Sequence, residues 1–215
     1  NTLTERMKEL NEYIATRLLN SKAVKLQPNH PFTWGTGMVA PVYFDSRKLL
    51  SYPQVRCLFK LELSRLTLEK FPDVEAIAAV APNSIAEGIL VAEELGLPFV
   101  YVHPQPKDHG LENQIEGDLK PRQKVVIIDD QLSFGEKCTR VQAALEKDGS
   151  LVLGMVCILD FNLDCGKKKL AEAQLECYSL TTFESVITKA IDKNVLTEEG
   201  KQKLELWQRN PVDWK

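Results

Sequence analysis

The stretch VVIIDDQLSFGEK, residues 125–137, decides how this chain is read. Val125 to Ile128 are β-branched and predict a buried strand. Asp129 and Asp130 follow at once, then a short loop, Gln131 to Gly135, and a helical stretch, Glu136 to Lys147. A buried parallel strand that ends in adjacent acids and opens through a loop into a helix suits a sugar-phosphate ligand. The carboxylates can accept hydrogen bonds from ribose hydroxyls, and the loop amides with the helix N-terminus can hold a phosphate. Acids after a strand also serve as plain caps of the next element, and the pair alone does not separate the two readings.

The rest of the composition is that of an ordinary globular protein. The 215 residues are 44% hydrophobic and 27% charged, enough for one domain with a sizeable core. A net charge of −3 gives no reason to expect nucleic acid or an anionic membrane as partner. No apolar run approaches the roughly 18 residues of a membrane span. The first residues carry an amphipathic helix pattern rather than a signal peptide's apolar region. Five cysteines (57, 138, 157, 165, 177), odd in number and without CxxC spacing, fit reduced thiols in a cytoplasmic protein.

Capping-box spacing at Thr2 and Glu5, with apolar residues at helical intervals, predicts a helix over 3–20. Short strands at 23–26, 32–34 and 39–44, around the turn Gly35-Thr36-Gly37, suggest a small hood within about residues 1–50. A helix over 52–71 leads into the core. From Val74 strands and helices alternate: strands at 76–80, 99–102, 124–129, 152–159 and 175–180, helices at 84–95, 136–147, 167–173 and 182–191. A last helix spans 198–209. This alternation predicts an α/β fold, a parallel sheet flanked by helices on both faces, with ligands bound beyond the strands' C-terminal ends. The polar loop 103–116 and the turn Pro82-Asn83-Ser84 fall at that end. The loop's composition predicts mobility concentrated from Lys107 to Asn113, opposed by Pro104 and Pro106.

The strand-acid stretch resembles the phosphoribosyl-pyrophosphate (PRPP) motif of type I phosphoribosyltransferases, with Asp129, Asp130, Ser133 and Gly135 in matching places. Other segments narrow the likeness to the orotate phosphoribosyltransferases. PFTWGTGMVAPVYFDSR (31–47) resembles that family's hood through Phe32, Thr33, Gly37, Pro41, Tyr43, Asp45 and Arg47. KDHGLENQIEG (107–117) resembles its mobile catalytic loop through Lys107, His109, Gly110, Glu116 and Gly117. The resemblance implies a single phosphoribosyltransferase domain over 1–215, with a hood to about residue 50 and the core beyond. It implies transfer of the phosphoribosyl group from PRPP to orotate in pyrimidine synthesis, with Mg2+ held through PRPP near Asp129 and Asp130. Lys107 and His109 are then the catalytic cations of the loop. Alone, the first fits a solvated lysine and the second an unpartnered loop histidine; their adjacency in KDHG favours the loop role. PRPP would be met by Asp129, Asp130, Ser133, Phe134, Gly135, Glu136, Lys137, His103, Asn83 and Ser84. Orotate would be met by Tyr43, Phe44 and Phe161. A homodimer is also implied.

The chain departs from the family pattern at several places. His103 and Pro104 stand where the loop usually has Arg-Lys, Phe134, Glu136 and Lys137 where small residues are preferred, and Pro82 in a turn that carries glycines. Phe161 stands where many members have arginine. A glutamate in a phosphate cradle repels its ligand, and Lys137 partly offsets it. Each lost charged contact is worth about 1.5–3 kcal/mol. Three readings therefore compete: a working orotate phosphoribosyltransferase, an impaired or inactive relative acting as a nucleotide-binding or interaction module, and an enzyme for another base, which the hood segment disfavours.

Overall fold

The computed structural model describes residues 2–105 and 114–214. At its centre β8 (Lys124–Leu132) is buried from Val125 to Asp130. Alternate side chains leave a strand on opposite faces, and this strand feeds two cores. Val125 and Ile127 join one core with Cys138, Val141 and Leu145 of α4 (Glu136–Lys147) and Leu170 of α5 (Asp164–Glu172). Val126 and Ile128 join the other, beneath α1 (Thr2–Asn20), α2 (Pro53–Lys70), α6 (Phe183–Asp192) and α7 (Glu198–Arg209). With apolar partners on both faces, the strand has no polar alternation, as the sequence suggested.

Six strands lie in the order β10-β9-β8-β5-β6-β7. Those named β5 (Ala76–Val80), β6 (Phe99–Val102), β9 (Leu151–Asp160) and β10 (Cys177–Thr182) run parallel to β8 and to one another. α3 (Ile85–Leu95) crosses from β5 to β6. β7 (Ile115–Glu116) is an antiparallel edge, pairing Tyr101 with Glu116 and Val102 with Ile115. Two residues carry no readable period, so this edge was invisible in the sequence.

Several boundaries move. β8 continues three residues past Asp129, where the strand was expected to end, so Asp130 also sits inside it. Its end still pairs with β9, Gln131 opposite Leu159 and Leu132 opposite Asp160. The last sheet strand spans 177–182, later than expected, because Leu175 turns into the core and its amide bonds Leu170 O at 2.9 Å to close α5.

The hood consists of two antiparallel pairs. β1 (Val24–Leu26) pairs with β4 (Val42–Phe44), and β2 (Phe32–Thr33) with β3 (Val39–Ala40). The expected 39–44 strand is split at Pro41, which has no amide to give a ladder. A 3-10 helix, Ser46–Ser51, then leads into α2, whose first residue is Pro53, where a missing N–H costs nothing. No helix among the described residues is long and apolar enough to cross a membrane.

Candidate active site

At the C-terminal ends of the parallel strands lies a cleft of about 430 Å³. The hood supplies one wall through Trp34, Gly35, Thr36, Tyr43 and Phe44. The opposite wall is the continuous run from Asp129 to Cys138, joined by Asn83 from the turn before α3. The motif that decided the sequence reading and the segment read as the hood therefore face each other.

Asp129 and Asp130 form the floor, 5% and 3% exposed. Each is held by a hydroxyl from another element. Ser84 Oγ donates to Asp129 Oδ1 at 2.7 Å and accepts the amide of Asp130 at 2.9 Å. Ser46 Oγ donates to Asp130 Oδ2 at 2.9 Å. Burial, with the charge of Asp130 beside it, pushes the Asp129 carboxyl well above the usual range, and Ser84 opposes this. Burial likewise raises Asp130, against Ser46 and the charge of Lys137. The two carboxyls also hydrogen-bond each other, and both line the cleft, where a ribose hydroxyl or a cation would meet them. Oxygen donors of this kind suit a hard divalent ion such as Mg2+. Among the described residues no group of three or more His, Cys, Asp or Glu is placed to hold a metal ion.

Beyond the acids the chain turns through Ser133, Phe134 and Gly135 into α4. Gly135 is left-handed at φ +80°, a conformation a side chain disfavours, and a Cβ there would also meet Leu170 at 2.9 Å. α4 has no side-chain cap, so its first-turn amides are left for a ligand at the loop. The loop rests on the first turn of α5 at Gly166, where a Cβ would stand 2.0 Å from the Ser133 carbonyl oxygen. Glu136 and Lys137 are both exposed on the cleft wall. Glu136 lies 4.0 Å from Arg140, one turn along the same helix. Lys137 is the one cation lining the cleft among the described residues.

Of the residues expected at the site, Asp129, Asp130, Ser133, Phe134, Gly135, Glu136, Lys137, Asn83, Tyr43 and Phe44 are brought together here. Three stand elsewhere. Ser84 is fully buried behind the acids and serves them instead of lining the cleft. Phe161 is fully buried among Trp34, Phe183 and Trp207, with ring centroids 5.3–6.0 Å away, because an apolar ring at the end of β9 gains more from that core than from the cleft. His103 sits at the base of its loop, its amide bonded to Gln114 O at 2.9 Å and its ring edge-on to Tyr101. Lys107 and His109, and the mobility expected from Lys107 to Asn113, lie outside the described residues. Sequence reasoning missed Ser46 and Gly166. Ser46 lies within the hood segment already singled out, but its partner is 84 residues away. Gly166 stands in DCGKKK, which has no feature that marks a seat for another loop.

No family model matches the chain. It is 47% identical over 208 residues to an orotate phosphoribosyltransferase of Porphyromonas gingivalis, covering 97% of this chain and 99% of that protein. It is 41% identical to one from Bacillus cytotoxicus, covering 95% and 97%. Among solved structures it is similar to the orotate phosphoribosyltransferase of Aeropyrum pernix, at 26% identity and a TM-score of 0.72 over 82% of this chain and 97% of that one. Its fold also matches the Leishmania donovani UMP synthase, with a TM-score of 0.77 and 24% identity; the match covers 92% of this chain and 42% of that longer protein. Near-complete coverage at this identity, together with the parallel sheet and the acid-floored cleft, places the chain in the orotate phosphoribosyltransferase family.

Proposed function

We propose that this protein transfers the 5-phosphoribosyl group of PRPP to orotate. A ring nitrogen of orotate bonds to the anomeric carbon and gives up its proton to the departing pyrophosphate or to solvent, the bond from that carbon to pyrophosphate breaks, and orotidine 5′-monophosphate and pyrophosphate leave. The observation that carries this reading is the opposition of two walls in one cleft: hood aromatics on one side, the acid pair and an uncapped phosphate loop on the other.

In this reading Asp129 and Asp130 accept hydrogen bonds from the ribose hydroxyls. Ser133, Phe134 and Gly135 offer backbone amides to the 5′-phosphate, with Lys137 as the nearby cation. Asn83 flanks the pyrophosphate side, and Tyr43 and Phe44 bound the orotate ring. Lys107 and His109 meet the charge that builds on pyrophosphate in an oxocarbenium-like transition state, where cationic groups act most strongly. Mg2+, bound through PRPP beside Asp129 and Asp130, supplies further charge neutralisation. The whole chain then works as one domain with a hood, in the cytoplasm, as a homodimer.

Relatives at 41–47% identity carry the enzyme's name, which supports transfer over a non-catalytic role. The test is isothermal titration with PRPP and Mg2+, followed by a turnover assay with orotate. Binding with turnover that Lys107→Ala strongly reduces is the expected result. No Mg2+-dependent PRPP binding would remove the enzymatic reading.

A further inference from the structure

Phe134 is the largest side chain in the phosphate loop, and it does not lie free. Its ring meets Trp34 of the hood edge-on, with centroids 6.0 Å apart and planes at 77°. Both rings are half-buried and pack onto the core formed by α1, α2, α6 and α7. Trp34 is itself fixed. Its indole Nε1 donates to Val42 O at 2.8 Å, its amide bonds Met38 O at 2.8 Å, and its carbonyl accepts from Gly37 at 2.8 Å. Behind it stand Phe161 at 6.0 Å and Trp207 at 5.8 Å.

The loop is thus held from two sides. Below, the Ser133 carbonyl rests on the bare backbone at Gly166. Above, the neighbouring ring of Phe134 is wedged against the hood. The amides that a phosphate would use belong to this same loop and to the uncapped first turn of α4. A loop ordered before its ligand arrives binds more tightly than one that must be ordered by it.

We propose that Phe134 is a positioning residue. Its ring, set against Trp34, clamps the phosphate loop to the hood, so that the loop is preformed for a 5′-phosphate and the two walls of the cleft hold one geometry. This deepens the proposed function and rests on it for the identity of the ligand.

The clamp acts on binding more than on chemistry, since Phe134 belongs to the phosphate loop and not to the acid pair of the floor. Titrating the full chain with ribose 5-phosphate should therefore show Phe134→Ala weakening binding by about tenfold or more, and Phe134→Leu, which keeps apolar volume, recovering much of it. In the transfer assay Phe134→Ala should raise the PRPP KM by a similar factor and leave kcat within about threefold. Trp34→Leu should reproduce the binding loss from the hood side. The double variant should be no worse than the weaker single one, because the two rings form one contact. If Phe134→Ala fails to fold, Trp34→Leu and Phe134→Leu pose the same question. Unchanged ribose 5-phosphate binding in folded variants, strictly additive losses, or a fall in kcat without a rise in KM would overturn the clamp. Wild-type protein that binds ribose 5-phosphate but transfers nothing to orotate removes the proposed reaction and leaves the clamp to be decided by the variants' binding. Wild-type protein that binds no ribose 5-phosphate removes both.

Discussion

Ser46 and Asp130 stand 84 residues apart in the chain, and their side chains meet at 2.9 Å in the floor of the cleft. The serine opens the 3-10 helix that leaves the hood, and it is 1% exposed. Its hydroxyl pulls down an acid that burial pushes up, so the hood helps to set the charge of the sugar site. Ser46→Ala should then raise the Asp130 carboxyl further and leave it short of a donor, at a cost of about 1–3 kcal/mol. PRPP affinity should fall, and the deficit should grow as the pH is lowered, since a protonated acid has to be ionised to serve the ligand. Titration over a range of pH checks this; an equal deficit throughout would mean that Ser46 acts only on the fold.

Gly166 bears on the same site from below. A methyl group there would overlap the Ser133 carbonyl oxygen, which is backbone and can move only with the phosphate loop. Gly166→Ala should destabilise by about 1–3 kcal/mol through overpacking. PRPP affinity should fall by at least about tenfold as the loop is displaced, a loss of about 1.4 kcal/mol in binding. Urea midpoints and titration measure the two effects separately. A stable variant with normal affinity would show that α5 can yield instead of the loop.

Glu87 on α3 is 4% exposed, and neither of its carboxyl oxygens has a hydrogen-bond partner. It shares a small crevice with Leu49, Leu50, Phe59, Leu63, Leu90 and Ile158. Two cations border that crevice, but Arg56 is bonded to Leu50 O and Lys60 to Glu94. Burial, reinforced by the charge of Asp130, raises the carboxyl to about 7. Below its ordinary range the group is protonated in both folded and unfolded chains and contributes nothing. As pH rises from about 4.5 to 7 the unfolded chain ionises first, so stability falls, and above that window the loss is complete. The full effect is on the order of 3 kcal/mol. Glu87→Gln should flatten this part of the profile, as compared by urea midpoints at pH 5 and pH 8.5; an identical slope in both proteins would contradict it.

Glu136 at the start of α4 faces two demands. An acid in a first helical turn favours the helix by about 0.3–1 kcal/mol, whereas a phosphate at the same amides is repelled by it. Glu136→Gln should therefore bind PRPP several-fold more tightly while melting slightly earlier. The gain should shrink as salt is added, because the group is exposed and screened. Affinity that does not rise at low salt would mean Arg140 already neutralises the glutamate.

The amino-acid sequence by itself determined the alternation of strand and helix, down to α4 at 136–147 and α7 at 198–209, because burial on two faces leaves a periodic record in the residues. It also marked both walls of the cleft, since Asp129, Asp130 and the 31–47 segment are local runs. Only the tertiary structure decided what those runs touch. Phe161, placed by resemblance at the orotate site, goes into the Trp34–Trp207 aromatic core, while Ser84 turns inward beneath the acids and Ser46 reaches them from the hood. Nothing local distinguishes a serine that will meet a carboxylate 84 residues away from one that will meet water. Periodicity records which face of an element is buried. It does not record the neighbour, and hydrogen bonds, ring contacts and the raised carboxyls of the floor are all set by the neighbour.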